Sequence, residues 1–202
     1  IESFTSRESG FLFNNVIFIV ICFAVFWGTI FPVLSEAVRG EKITVGAPFF
    51  NQVNVPIGLL LLLFTGIGPL LAWRRTSNQA FVRNFTLPIL TGLIVFIACF
   101  FLEIRNTTLV SFPLVGFVLT AILTEFQRGI RSRTARFNES FYTALKTLIS
   151  KNRSRYGGYI VHLGIVFMFI GFSGNAFDSE LEFALKKGEV KEFDGYNFEL
   201  VS

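Results

Sequence analysis

Histidine occurs once in this sequence, and cysteine only twice. The cysteines, Cys22 and Cys99, each sit deep in an apolar run, and there is no CxxC. That excludes an encoded zinc or thiol-redox motif, and both read as small core hydrophobes. A lone histidine excludes a bis-histidine site built by this chain alone. No signal-peptide pattern opens the sequence, whose first residue is Ile1, so it reads as a piece of something longer. Charged residues make up only 16% of the chain, and no apolar run holds a second ionisable group that would form a relay with the histidine. No inverted repeat is evident.

What is abundant is apolar. Of 202 residues, 52% are hydrophobic and 27 are phenylalanine, and they fall in long runs. That arrangement marks an integral membrane protein, all-α and polytopic, with about five transmembrane helices. The expected spans are 11–34, 55–73, 85–102, 109–126 and 156–172, which make residues 1–174 a transmembrane helical domain. Gly28, Thr29 and Pro32 suggest a kink or a helix stop near the end of the first span. Ser35 to Asn54 reads as a loop on the membrane surface, with Ile43–Val45 compatible with a short strand. Trp73, followed by Arg74 and Arg75, is an interface anchor. Pro88 is placed in the first turn of the third span, and Pro113 and Gly116 interrupt the fourth. Within the basic stretch Gln127 to Arg155, the apolar residues Phe141, Ala144, Leu145, Leu148 and Ile149 recur at helical spacing. They predict an amphipathic helix on the membrane surface, capped by Asn138 or Ser140.

Beyond Gly174 the chain turns polar and acidic. Leu181–Leu185 and Tyr196–Leu200 alternate, and Lys187-Gly188 and Asp194-Gly195 are turn signals. Residues 175–202 therefore read as the start of a small β-domain, because two or three strands are too few to be stable alone.

The net charge of +4 would fit nucleic acid, but the distribution argues against it. With alternate crossings, one side collects 12 of the 18 Lys/Arg and 4 of the 14 acidic residues. Basic loops face the cytoplasm by the positive-inside bias, which puts the C-terminal tail in the periplasm or an equivalent compartment.

The lone histidine, His162, lies within the stretch Tyr156 to Phe172, which is long and apolar enough to cross a bilayer. An ionisable residue in such a span is a functional hypothesis, and imidazole is the commonest protein ligand for metals, haem iron included. Gly158 lies one turn away on the same side and offers no side chain to block a flat macrocycle. Gly157, Gly164 and Gly171 form a second small row of the kind that lets membrane helices approach closely. The bland alternative is a histidine hydrogen-bonded inside a helix bundle.

Several stretches, in order, carry a family likeness. They are SRESGFLFNN (Ser6 to Asn15), GTIFPVL (Gly28 to Leu34), ITVGAPFFN (Ile43 to Asn51), GIGPLLAWRR (Gly66 to Arg75) and RYGGYIVHLG (Arg155 to Gly164). Together they resemble the C-terminal part of CcmF, the haem-handling membrane protein of bacterial cytochrome c maturation. The resemblance implies the integral-membrane core of a haem lyase in the bacterial inner membrane. Such a protein receives haem from the chaperone CcmE and works with CcmH-type subunits that present apocytochrome c. Haem vinyl groups are joined to the cysteines of a CxxCH motif. It also implies a b-type haem held between two transmembrane histidines, and His162 falls at the second of them. The tryptophan-rich periplasmic segment, two periplasmic histidines and the other transmembrane histidine of that family are absent from this sequence, so the chain alone does not complete a haem site or a catalytic one. Arg153 and Arg155 are the nearest cations to His162. Topology accounts for them, and haem propionate contacts are the lesser alternative. Two other classes compete with the haem reading. One is a transporter or channel module, whose path would follow the Gly- and Pro-broken spans. The other is a non-catalytic scaffold subunit.

Overall fold

A computed structural model describes residues 6–74, 76–174, 177, 190–193 and 195–199. Its elements are α1 (Arg7–Arg39), α2 (Ala47–Leu70), α3 (Asn78–Phe101), α4 (Thr108–Phe137), α5 (Phe141–Lys151), α6 (Arg153–Gly174), β1 (Val190–Phe193) and β2 (Tyr196–Glu199). Five of the helices, all but α5, are long and apolar enough to cross a membrane. The fold class is the one the apolar runs predict.

The helix ends differ from the runs, because hydropathy marks the part inside hydrocarbon and not the helix. α1 passes through Pro32 without stopping and ends at Gly40, whose φ of 71° closes the helix in the left-handed conformation. The VGAPFFN stretch is not an interfacial loop, since α2 begins at Ala47 with Pro48 in its first turn. Ile43–Val45 forms no strand. α3 starts at Asn78, where Ser77 accepts a hydrogen bond from the Ala80 amide at 3.3 Å, so Pro88 lies in the helix interior. α4 is uninterrupted at Pro113 and Gly116 and continues to Phe137. At 30 residues it is about 45 Å long. That exceeds the ~30 Å of bilayer hydrocarbon, so its last turns project beyond it.

α4 is the centre of the bundle and packs against α2, α3, α5 and α6. Val118, Ala121 and Ile122 are fully buried on it, among Leu62 of α2, Val166 of α6 and Ala144 of α5. α6 runs antiparallel to α4. At one end Ser111 and Ser173 share a hydroxyl–hydroxyl bond of 2.6 Å, and at the other Phe126 packs against Tyr156 and Tyr159. α1 packs mainly on α2, where Gly28 makes room for the rings of Phe49 and Phe50. Cys99 is buried as expected, but Cys22 is exposed because α1 turns that face away from the bundle.

α5 is amphipathic as predicted, with Ser140 as its cap, whereas Asn138 instead closes α4 in the left-handed conformation. Part of its apolar face is taken up by the bundle, while Phe141 stays exposed. Ala144 and Leu148 are buried against α4, where Gly129 leaves room for Leu148 and for the hydroxyl of Tyr156. α4 and α5 therefore form a helical hairpin, and Arg133 grips Glu139 across its turn with two hydrogen bonds of 2.9 and 2.6 Å. The bonded guanidinium holds the Glu139 carboxyl below the usual carboxylate range. A lowered folded value stabilises above the unfolded carboxylate pKa, and the gain is lost as pH falls through the folded one. Glu139→Gln is accordingly expected to lower the thermal midpoint at neutral pH and to leave it unchanged once both forms are protonated, as a pH series of melts would show.

β1 and β2 pair antiparallel, with Phe193 opposite Tyr196 and Gly195 at φ 79° in the turn between them. This bears out the strand expected from Tyr196. Leu181–Leu185 and Lys187-Gly188 lie outside the described residues.

Candidate functional site in the crevice beside the sixth helix

Which way α6 faces is fixed by a stripe of side chains that suits α4. Tyr156, Tyr159, Val166 and Ser173 are buried at helical spacing. His162 lies on the flank of that stripe, toward α2. Its neighbours seven residues away, on nearly the same side of a helix, both face α2. Phe169 packs close to Gly58, and Arg155 lines a cavity with the C-terminal turn of α2. The imidazole is half-buried, and its Nδ1 is shielded from solvent with no hydrogen-bond partner among the described residues. The bland reading of a satisfied bundle histidine is not what this nitrogen shows. No acceptor that would fix its tautomer lies at Nδ1 among the described residues.

Gly158, one turn earlier on the same flank, has open space where a Cβ would stand. Gly157, Gly164 and Gly171 are equally open, so no described helix uses that row for close packing. His162 and Gly158 lie one turn apart on α6. With Nδ1 closed off, a haem iron would meet the half-buried ring at Nε2, which is not shielded, and the open space at Gly158 fits a flat group on that side. Among the described residues there is no His/Cys/Asp/Glu cluster of three or more that would hold a bare metal ion.

The structure adds a group that charge counting leaves on the surface. Glu125 is only 6% exposed, although it sits near the end of the apolar part of α4. Arg155 donates to it at 2.5 Å and Arg128 at 3.2 Å. Arg155 also donates to the Tyr159 hydroxyl at 3.1 Å and stands over the rings of Tyr156 and Tyr159. These contacts tie the first turns of α6 to α4 and so set which side of the helix His162 presents. Arg153 is exposed. The sequence signal for the clamp is faint, a carboxylate at the end of an apolar run, three residues before an arginine.

No family model matches the chain. It is 32% identical over 196 residues to the cytochrome c-type biogenesis protein CcmF of Haemophilus influenzae, which covers 96% of this chain and 29% of that protein. CycK of Bradyrhizobium diazoefficiens, another cytochrome c-type biogenesis protein, is 29% identical over 199 residues, again 96% of this chain and 29% of the relative. NrfE of Haemophilus influenzae, of the same description, is 24% identical over 200 residues. The chain is therefore homologous to a portion of the CcmF, CycK and NrfE proteins and spans about 29% of the length of these curated relatives. No solved structure matches it.

Proposed function

We propose that this chain, homologous to part of the CcmF-type cytochrome c biogenesis proteins, contributes one axial ligand to a b-type haem and serves a haem lyase that attaches haem to apocytochrome c. The observation that carries the reading is the half-buried imidazole of His162, without a partner among the described residues, beside the open side of Gly158. The opposite ligand comes from residues outside this sequence, which has one histidine. When bound, the haem supplies an iron centre that carries single electrons. The chain's own residues have simpler tasks. His162 offers a ring nitrogen. Gly158 leaves the flank clear, and the Glu125–Arg155 clamp holds α6 in rotation. The haem chaperone CcmE and a CcmH-type subunit are the partners of this reading. So is an orientation in the bacterial inner membrane with the arginine-rich end in the cytoplasm, and residues 175–202 begin a periplasmic β-domain.

The test is optical. In the complete membrane complex, His162→Ala is expected to remove the reduced-minus-oxidised bands of a b-type haem, while the complex still assembles. Unchanged haem content and spectrum in a folded variant would overturn the assignment and leave a transporter module or a scaffold.

A further inference from the structure

The basic end of the bundle carries an open cavity of about 260 Å³ whose lining includes neither His162 nor Gly158. Arg7, Thr76, Ala80, Asn84, Glu125 and Arg155 line it, together with the C-terminal turn of α2. Four helix ends meet there, the starts of α1, α3 and α6 and the end of α2, which places the cavity at the water–lipid boundary. Trp73 on its wall is 61% exposed and packs edge-on against Phe11, as an interfacial aromatic does.

The donors in this cavity are held but not used up. Arg7 donates from Nε to the Gly68 carbonyl and from Nη2 to the Pro69 carbonyl, each at 3.1 Å, and so caps α2. Arg155 spends Nε on Tyr159 and Nη2 on Glu125. Each guanidinium keeps an Nη1 that has no acceptor among the described residues. Two fixed guanidinium groups on one cavity are a phosphate-binding arrangement.

Asn84 fixes the wall, and Glu125 adds a complementary demand. The Asn84 Nδ2 donates to the Leu70 carbonyl at 3.0 Å, which fixes the amide orientation, since a flip would set oxygen against oxygen. Its Oδ1 is buried and has no partner among the described residues. Closed off from the cavity, that oxygen is a cost the fold carries. The acceptor that faces the cavity is the Glu125 carboxylate, which calls for a positive or hydroxylated group on the same side.

We propose that this cavity binds the headgroup of a membrane phospholipid whose phosphate sits on Arg7 and Arg155. The ammonium or hydroxyl of its head alcohol donates to the Glu125 carboxylate on the same wall. A headgroup such as ethanolamine or glycerol meets both demands. Choline, with no N–H or O–H, meets only the first. A free phosphate monoester shares the chemistry, and position at the boundary favours the lipid.

The experiment places the protein, in its full membrane complex, in nanodiscs of mixed phosphatidylethanolamine and phosphatidylcholine. Native mass spectrometry then reads which lipids stay bound. Phosphatidylethanolamine is expected to be retained about tenfold over phosphatidylcholine, the size of one charge-assisted hydrogen bond. Ala80→Leu fills the cavity without removing a polar contact and is expected to abolish the preference. Should Ala80→Leu fail to fold, Arg155→Lys carries the test, because it keeps the charge opposite Glu125 but loses the planar fork. Equal retention of the two lipids, or a preference that survives in the folded variant, overturns the proposal. In lipid-free detergent, soluble phosphoethanolamine is expected not to displace retained lipid at millimolar concentration. Displacement would reassign the site to free phosphate esters.

Discussion

Replacing Gly66 with leucine is expected to break the seam between α2 and α4. A Cβ at Gly66 would stand 2.7 Å from Phe117 Cε1 and 2.9 Å from Val118 Cγ2. Neither neighbour has room to give. Val118 is fully buried, and the Phe117 ring packs on Phe85 while its Cβ faces Gly92. Overpacking by even one methyl in such a place costs roughly 1–3 kcal/mol, and a leucine adds three more carbons. The thermal midpoint of the detergent-solubilised protein should fall by several degrees, or the protein should fail to accumulate. Gly68→Ala is the control, because nothing lies within 4 Å of its missing Cβ. An unchanged midpoint for Gly66→Leu would mean that α2 and α4 do not pack as described.

Arg155→Met is expected to destabilise the protein by roughly 3 kcal/mol, and the loss should be partly recovered when Glu125→Gln is added. The reasoning is asymmetric. Arg155 is half exposed, with 49% of its side chain accessible, and tolerates loss of its partner. The Glu125 side chain is only 7% accessible, and without Arg155 it keeps a single guanidinium, Arg128, at 3.2 Å. Removing one member of a buried pair costs more than the pair contributes, because the other charge stays out of water. A double-mutant cycle read by thermal unfolding measures this coupling directly. Additive losses would show that the two side chains act independently.

Five spans and one amphipathic helix are legible in the sequence because lipid demands long apolar runs and a one-sided helix shows its period. Helix ends are not. Ala47–Asn54 and Asn78–Asn84 are polar enough to read as loops, yet Pro48 and the Ser77 cap let helix begin there. The projection of α4 from Gln127 to Phe137 is hidden for the same reason, since a helix that leaves the bilayer changes composition without changing backbone. At the site, His162 and Gly158 are local partners on one helix and so can be read from spacing. The Glu125–Arg155 clamp joins residues 30 apart, through the packing of two helices, and no local pattern announces it. The same holds where Gly28 of α1 receives the rings of Phe49 and Phe50, which makes two of the family-like stretches a single contact.

The central place of α4 has a consequence for how the chain is made. α2 and α3 touch each other only sparsely, and both lean on α4. A ribosome delivers them first. Until Thr108 and the residues after it emerge, α3 has almost nothing in this chain to rest against, and the apolar side of α2 that will meet Phe117 must be covered by lipid or by the insertion machinery. Closure of the bundle is thus a late event in synthesis, timed by the arrival of a single helix.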